Sequence, residues 1–425
     1  MSKKNLFFVG LLLLFAVGFA ACSNDSTEDV ANEQPKQTGE FADIPLTAQQ
    51  KKQVPALNDF ALNLTQQMAL ENKSFVVSPL SVAFLLGMLD EGAEGETQAE
   101  IARTLGLGNA SREEVNELMA ALLGYTGTAD DQVTVAYANN VTLNAKYNYQ
   151  LTETFGNAMK KYYDASIMSY DFSKPEALLA INGWSNEHSK GLIPSIIDEL
   201  DENAVMCLLN AVYFKGCWVN PFDKSNTCGA PFKKGDGLWT EIKMMKAETQ
   251  ASYYEGEGFK ALNLPIGDGT FSMTLLLPAE RKRVYGMLEE LEGKDLQQMS
   301  FEEHKVKMTI PIFKTTAETD LIPLLSSMGI KKVFNDVESQ LIRIVKDSQI
   351  PLFVGLMKQN TQLGINEEGT EGSAVTLAEA FVTEDRSGEL PPQPEYIFNA
   401  NRPFVYFISD KGSGAILFMG MFAGE

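Results

Sequence analysis

Apolar residues recur at helical spacing through most of the first half of the chain, with polar residues between them. The pair Ser78-Pro79 is typical of a helix start, because serine caps the first turn and proline fits its first position. The pattern predicts four helices, over residues 47–69, 78–89, 151–163 and 175–189.

After Val205 the apolar runs become shorter or alternate with polar residues, which is typical of strands in large sheets. The predicted strands cover residues 207–214, 261–264, 271–277, 306–312, 352–356 and 404–422. Helices followed by strands favour the α+β class over alternating βαβ units. Because we find neither an internal repeat nor a linker after residue 46, we predict a single domain over residues 47–425.

A different pattern precedes this domain. Two lysines are followed by an apolar run over residues 6–21, which ends directly before Cys22 and resembles a bacterial lipoprotein signal, although Phe19 departs from the usual leucine. We expect a signal peptide over residues 1–21, cleavage before Cys22, and a membrane anchor of fatty acyl chains such as palmitate. Ordinary secretion and an uncleaved membrane helix are the alternatives.

Residues 22–46 are polar and acidic, so they cannot bury enough apolar surface to fold, and we expect a flexible tether. Acidic residues directly after a lipidated cysteine resemble the surface-export signal of Bacteroides-type bacteria. We therefore expect a protein of the cell envelope, anchored at Cys22 in the outer membrane, with exposure on the cell surface left open.

The composition limits the other classes of function. The formal charge is −21, and a surface this acidic disfavours nucleic acid as a partner. The only two histidines, His188 and His304, have no metal-ligand spacing, so we expect no metal site and no cofactor. Because GxSxG and HExxH motifs are also absent, we do not expect an enzyme.

Three further cysteines follow Cys22: Cys207, Cys217 and Cys228. A disulfide between Cys217 and Cys228 is conceivable in an exported protein. We expect free, buried thiols instead, because an odd number of cysteines cannot all pair within one chain.

The segment after Ile365 has the most informative pattern in the chain. If residues 370–380 form a strand, one face has only small, uncharged side chains, and the opposite face, with both glutamates, can stay in water. The small face comprises Thr370, Gly372, Ala374, Thr376, Ala378 and Ala380. Such a strand can enter a packed sheet, because it brings no charge into the core and no proline into the ladder. An ordinary surface loop is the alternative.

The sequence Glu-Glu-Gly-Thr-Glu at residues 367–371 resembles the reactive-loop hinge of the serpin family. Residues 72–81 resemble the start of that family's second helix, and residues 208–222 resemble its third sheet-A strand. Residues 401–404 and 417–420 resemble its C-terminal strands. The segments follow the family's order, and the resemblance extends from about residue 50 to the end of the chain.

The resemblance implies helices packed around large mixed and antiparallel sheets, with an exposed reactive loop at about residues 367–394. In such a protein a protease cuts the loop, forms an acyl-enzyme, and is trapped when the severed loop inserts into the central sheet. We therefore expect a monomeric suicide inhibitor of serine endopeptidases, and of some cysteine endopeptidases, without catalytic residues of its own. A non-inhibitory serpin that acts as a binding protein is the alternative.

The resemblance also implies roles for single residues. Trp218 matches a tryptophan at the top of the sheet, and Ser78, Ser81 and Asn210 match a polar cluster that controls the opening of the central strands. Gln359 stands where that cluster usually has a histidine, and its amide can still donate and accept hydrogen bonds. The simpler explanations are core packing for the tryptophan and helix capping for the serines. The hinge comprises Glu367, Glu368, Gly369, Thr370, Glu371, Gly372, Ser373 and Ala374.

Counting the family's usual spacing from the first hinge glutamate places the scissile bond between Thr383 and Glu384. Val382 and Thr383 before the cut would suit an elastase-like serine protease, which we favour, or a papain-like cysteine protease. The bond between Arg386 and Ser387 is the runner-up and would suit a trypsin-like enzyme.

Overall fold

The computed structural model describes residues 46–126, 132–188, 191, 194–346, 351–370 and 396–425. These residues belong to one compact unit, Glu40–Glu425. No helix in these ranges is both long enough and apolar enough to span a membrane.

The described residues form nine α-helices, of which the six long ones lie in the first half of the chain. They are α1 Ala48–Ala69, α2 Pro79–Gly92, α3 Gly95–Thr104, α4 Arg112–Thr126, α5 Glu153–Tyr162, α6 Pro175–His188, α7 Val284–Leu288, α8 Gly293–Gln298 and α9 Leu321–Ser327. The four predicted helices are confirmed as α1, α2, α5 and α6. Ser78 caps α2 as the sequence indicates, and the structure shows that Thr47 caps α1. The sequence pattern does not predict α3 or α4; of the residues of α3, only Thr97 and Ile101 are buried.

Strands occur throughout the described residues. They are β1 Phe75–Val77, β2 Val133–Asn144, β3 Gln150–Leu151, β4 Ala165–Tyr170, β5 Met206–Cys217, β6 Cys228–Lys233, β7 Trp239–Glu255, β8 Phe259–Ile266, β9 Phe271–Pro278, β10 Glu302–Pro311, β11 Phe313–Asp320, β12 Val345–Lys346, β13 Leu356–Ile365, β14 Gly369–Thr370, β15 Tyr396–Asn399, β16 Phe404–Asp410 and β17 Ile416–Phe422.

One strand prediction is wrong. Residues 352–356 precede a strand that begins only at Leu356; Leu352 and Val354 are buried for packing, and the Val354 amide donates to the Val333 carbonyl outside any ladder. The first half is mainly helical, as predicted, but it also contains β2 and β4, which the sequence pattern does not predict. Two buried asparagines, Asn139 and Asn140, interrupt the apolar pattern of β2 that would have identified it.

A six-stranded sheet has the order β11-β13-β14-β5-β2-β4. Strand β13 pairs in parallel with β5 from Leu356–Cys207 to Thr361–Val212. Beyond a short interval, the two-residue strand β14 lies between them and pairs antiparallel with both. The sheet is therefore closed at one end and already parted at the other.

The second sheet has nine strands, in the order β1-β17-β16-β9-β8-β7-β10-β15, with β6 paired to β7. Helix α2 is buried along its whole length and contacts β5 of one sheet and β17 of the other. Helix α6 covers the opposite face of the six-stranded sheet, where Ile181 and Trp184 pack with Leu209 and Ala211. Helices around large mixed sheets confirm the predicted α+β class.

Candidate functional site

The start of the predicted hinge lies inside the six-stranded sheet. Gly369 is opposite Cys217 of β5, and Thr370 is opposite both Gly216 of β5 and Ile365 of β13. Of the hinge residues, Glu367, Glu368, Gly369 and Thr370 are therefore described, and the last two already pair as a strand.

Gly369 is required by its position. Its φ is +152°, and a Cβ there would approach the Gly216 carbonyl oxygen to 2.2 Å and the Cys217 Cα to 2.7 Å. These contacts are with backbone atoms, which cannot move aside without parting the strands. Only glycine allows the chain to come this close to β5.

Thr370 is fully buried, and its side chain is fixed by the partner strand. Its hydroxyl accepts a hydrogen bond from the Gly216 amide at 2.9 Å and donates to the Gly216 carbonyl at 3.1 Å. A small uncharged residue is needed at this point, because a charge would be buried without a partner.

Trp218, directly after β5, holds the chain that leads into the hinge. Its indole donates to the Asn366 carbonyl at 2.8 Å, and its backbone amide donates to the Glu368 carbonyl at 2.9 Å. The Asn366 side chain in turn accepts from the amides of Glu368 and Gly369. The tryptophan therefore bonds to the hinge as well as packing in the core.

A buried polar cluster lies where β13, β5 and α2 meet. The Gln359 carboxamide accepts from the Ser78 amide at 2.8 Å and donates to the Ser78 carbonyl at 3.1 Å and to Asn210 Oδ1 at 3.5 Å. Thr361 Oγ1 donates to Gln359 Oε1 at 3.0 Å. The side chain at the usual histidine position thus bonds simultaneously to its own strand, to the neighbouring strand and to the helix cap.

The two serines of the predicted cluster differ in what they bond. Ser78 Oγ donates to the Leu417 carbonyl at 2.6 Å and caps α2 by accepting from the Ser81 amide. The Ser81 hydroxyl is buried but has no hydrogen-bond partner among the described residues. It lies beside the network and is not a member of it.

Two members of the cluster, Thr361 and Asn139, were not predicted from the sequence. Asn210 donates to Asn139 Oδ1 at 2.9 Å, which extends the network from β5 into β2. The signal that could have identified Asn139 is the pair of asparagines in the middle of an apolar run.

The remaining predicted site residues lie outside the described part of the chain. They are Cys22 of the lipidation site, Glu371, Gly372, Ser373 and Ala374 of the hinge, the scissile candidates Val382, Thr383 and Glu384, and the runner-up pair Arg386 and Ser387.

The three cysteines of the domain are free. Cys207 is buried, and burial raises the pKa of its thiol to about 12, whereas Cys217 is half-buried and Cys228 is exposed. The prediction of buried thiols is therefore right only for Cys207. No group of three or more His, Cys, Asp or Glu side chains in the described ranges is arranged to bind a metal ion.

Comparison with known proteins matches residues 55–424 to the family model "Serpin (serine protease inhibitor)". An uncharacterized serpin-like protein of Thermococcus kodakarensis is 28% identical, over 98% of each chain, and the antitrypsin of Bombyx mori is 30% identical, over 85% of this chain and 92% of its own. Among solved structures, the native thermophilic serpin tengpin aligns with a TM-score of 0.79 at 22% identity, covering 89% of this chain and 95% of its own. Human thyroxine-binding globulin aligns with a TM-score of 0.78 at 24% identity, covering 88% of this chain and 98% of its own.

Proposed function

Because the chain belongs to the serpin family, whose members are in general protease inhibitors and not catalysts, we propose that this protein is a suicide inhibitor of serine proteases. The catalytic serine of the protease attacks a peptide carbonyl in the reactive loop, the amine on the C-terminal side leaves, and an ester joins the loop to the protease. Insertion of the severed loop between β13 and β5 then traps the protease. The observation that carries the proposal is the pairing of Gly369 and Thr370 within the sheet.

The register of these two residues supports full insertion. If β14 were extended in the same register, Thr376 would lie opposite Asn210 of β5 and opposite Gln359 of β13. These two residues now pair with each other. The β5 partners of the small face would be Phe214, Val212, Asn210, Leu208 and Met206, all of which are buried. The compact side chains therefore match the face of the sheet that has least room.

The opposite face of the inserted strand would pack against α6. In the same register, Val375 and Leu377 would lie opposite Ala211 and Leu209, beneath α6. Glu371 would lie opposite Lys215, nearer the seated end. The middle of this face is thus covered and apolar, which refines the expectation from the sequence that the face opposite the small residues stays in water.

The length of the sheet supports the favoured scissile bond. In this register Ala380 would pair with Met206, the first residue of β5, so an ester at Thr383 would lie three residues beyond the sheet and an ester at Arg386 six. The shorter connection would leave less slack between the inserted strand and the protease. We therefore propose an elastase-like target, with papain-like and trypsin-like proteases as the alternatives.

We further propose that the protein is the lipoprotein that its N-terminal sequence resembles, acylated at Cys22 and anchored in the outer membrane. The anchor would keep the inhibitor at the cell envelope, where external proteases arrive. Growth with a radiolabelled fatty acid tests this proposal: wild type should become labelled and a Cys22→Ser variant should not. Label on both proteins, or on neither, would overturn the proposal.

Mixing the domain with an elastase-like protease tests the inhibitory function. We expect a covalent complex that survives detergent on a gel. Mass spectrometry should show that the released peptide begins at Glu384. Thr370→Arg should turn the protein into a substrate, because a charge at this buried position would displace the hinge from the sheet and oppose insertion. Equal inhibition by that variant would contradict loop insertion.

One observation favours the alternative of a binding protein. A cavity of about 530 Å³ lies between α1, α8 and β16, and both polar and apolar side chains line it. A non-inhibitory serpin would still be cut in its loop but would form no covalent complex. The detergent-stable band therefore distinguishes the two functions.

A further inference from the structure

A short segment beside the hinge makes contacts that the sequence does not suggest. Residues 222–227, which we name the latch segment, connect the end of β5 to the start of β6. A single 3-10 turn, Lys224–Asn226, shapes the segment, and Asp223 caps this turn by accepting from the Ser225 amide at 2.8 Å. The latch segment thus has a defined conformation in which the side chains of Lys224 and Thr227 face Glu368 and Glu367.

Both hinge glutamates in the described part of the chain, Glu367 and Glu368, contact the latch segment. The Glu367 carbonyl accepts from the Phe222 amide at 2.8 Å, and its carboxylate accepts from Thr227 Oγ1 at 2.7 Å. Lys224 Nζ contacts Glu368 Oε1 at 2.5 Å, and Glu368 raises the pKa of Lys224 above its ordinary value. The latch segment therefore holds Glu367 and Glu368, the two residues directly before β14, in position.

The ion pair between Lys224 and Glu368 is exposed and therefore weak. The Lys224 side chain is 67% exposed and that of Glu368 is 27% exposed, so water and salt screen the ion pair. Gly369 and Thr370, by contrast, pair inside the sheet directly after these residues. The exposed ion pair between Lys224 and Glu368 therefore lies directly beside the buried pairing of β14 with β5 and can influence it.

We infer that the latch segment seats the first hinge residues in the sheet before any protease attacks, and that Lys224 is a positioning residue for this seating. The inference rests on the proposed inhibitory function for its kinetic consequence. Closing the first pair of a strand has the cost of ordering the chain, whereas extending a seated strand adds contacts residue by residue. A seated hinge should therefore insert faster than one that must first find the sheet.

The kinetic consequence concerns a competition. After the cut, the acyl-enzyme either hydrolyses and releases active protease or is trapped by insertion. Loss of the latch contacts should slow insertion and leave hydrolysis unchanged. More inhibitor molecules would then be consumed for each protease trapped.

Hydrogen exchange of the free protein tests the seating without any protease. Lys224→Gln and Glu368→Gln should each increase exchange at the amides of Gly216 and Thr370 by about two- to fivefold, the range expected for an exposed ion pair. The charge swap Lys224→Glu with Glu368→Lys should restore slow exchange. Lys243→Gln, at another exposed lysine, is the matched control and should change nothing.

Salt provides a second measurement on the same proteins. High salt should increase exchange at these amides in wild type and should have no effect in Lys224→Gln, because the charge pair is already lost. The number of inhibitor molecules consumed per protease should rise about two- to fivefold in the single variants and fall again in the swap.

The outcomes separate the two proposals. Unchanged exchange in the single variants, or exchange that the swap fails to restore, would overturn the latch and leave the inhibitory function untouched. If wild type forms no covalent complex, the inhibitory function fails, and the exchange measurement still decides whether the latch segment seats the hinge.

Discussion

The two ends of the region between β13 and β5 are held by different kinds of contact. At the Leu356 end the two strands pair directly around Gln359 and Asn210, which are both 0% exposed. At the β14 end they are parted by two hinge residues, which exposed contacts such as Lys224–Glu368 help to position. Burial makes the first end strong and specific, whereas screening by water leaves the second end adjustable.

The interval between the two ends determines where an inserting loop would first meet a strand pair. No pairing joins β13 to β5 over residues 362–364 and 213–215, which lie between the direct ladder and β14. A loop entering from the hinge could fill this interval before it breaks any pair. The first pair it would have to break is Thr361–Val212, and the pair Gln359–Asn210 lies two residues further on.

A covalent lock at the closed end should have the largest effect. Cys207 pairs with Leu356, and adjacent strands lie about 5 Å apart, within the Cα range of disulfides. Leu356→Cys under a thiol oxidant should therefore bond to Cys207, stop insertion short and abolish the covalent protease complex. Reductant should restore the complex.

Leu356→Ser, treated with the same oxidant, is the control for this lock and should retain inhibition. Inhibition by the oxidised Leu356→Cys protein, with the disulfide verified by mass spectrometry, would mean that the ladder between β13 and β5 does not open.

Loss of the buried amide should have the next largest effect. Gln359→Leu would leave the Ser78 amide, the Ser78 carbonyl and Asn210 Oδ1 without this partner, and each such loss costs about 1–3 kcal/mol. We expect a loss of about 3 kcal/mol in the free energy of unfolding, measured with denaturant. Gln362→Leu, on the same strand but half-buried, should lose less than about 1 kcal/mol. Similar losses in both variants would contradict the special role of the closed end.

The other end of α2 has a pH-dependent group. Desolvation is the largest influence on Asp90 and raises its pKa to about 6, although Arg112 acts in the opposite direction. A carboxyl group with a raised folded-state pKa stabilises the fold when protonated, so its contribution is complete below about pH 3.8 and is lost as the pH rises through about 6.

Asp90→Asn should remove this dependence. The stability of wild type minus that of the variant should fall by about 2 kcal/mol between pH 4 and pH 7.5, as measured by denaturant unfolding at each pH. A constant difference across this range would show that Asp90 titrates normally.

Gln359→His should have the smallest effect and would make the closed end sensitive to pH. Burial disfavours the charged imidazole, so the folded-state pKa should lie below the ordinary value of about 6.5. Stability should then fall by about 1 kcal/mol as the pH decreases from 7.5 to 5, after the wild-type change is subtracted. A variant that follows the wild-type curve would mean that the imidazole reaches water.

Local patterns predicted much of the fold and only part of the site. The helices α1, α2, α5 and α6 follow from periodicity and from caps such as Ser78, because these signals act within a few residues. Strand β2 was missed because Asn139 and Asn140, which interrupt its apolar pattern, are buried in a polar environment that the local sequence does not reveal. The hinge was predicted from the family resemblance of residues 367–371, whereas the steric reason for Gly369 is visible only in the structure, because the backbone it approaches belongs to Gly216 and Cys217.

The sequence by itself determined the family resemblance, the hinge and the alternation of compact side chains after it, since each is a property of neighbouring residues. Only the tertiary structure decided that Gly369 and Thr370 are already paired, that Gln359 bonds to the backbone of a residue 281 positions away, and that Lys224 faces Glu368. These contacts join distant parts of the chain, and their geometry depends on how two sheets and α2 pack together, which no local pattern specifies.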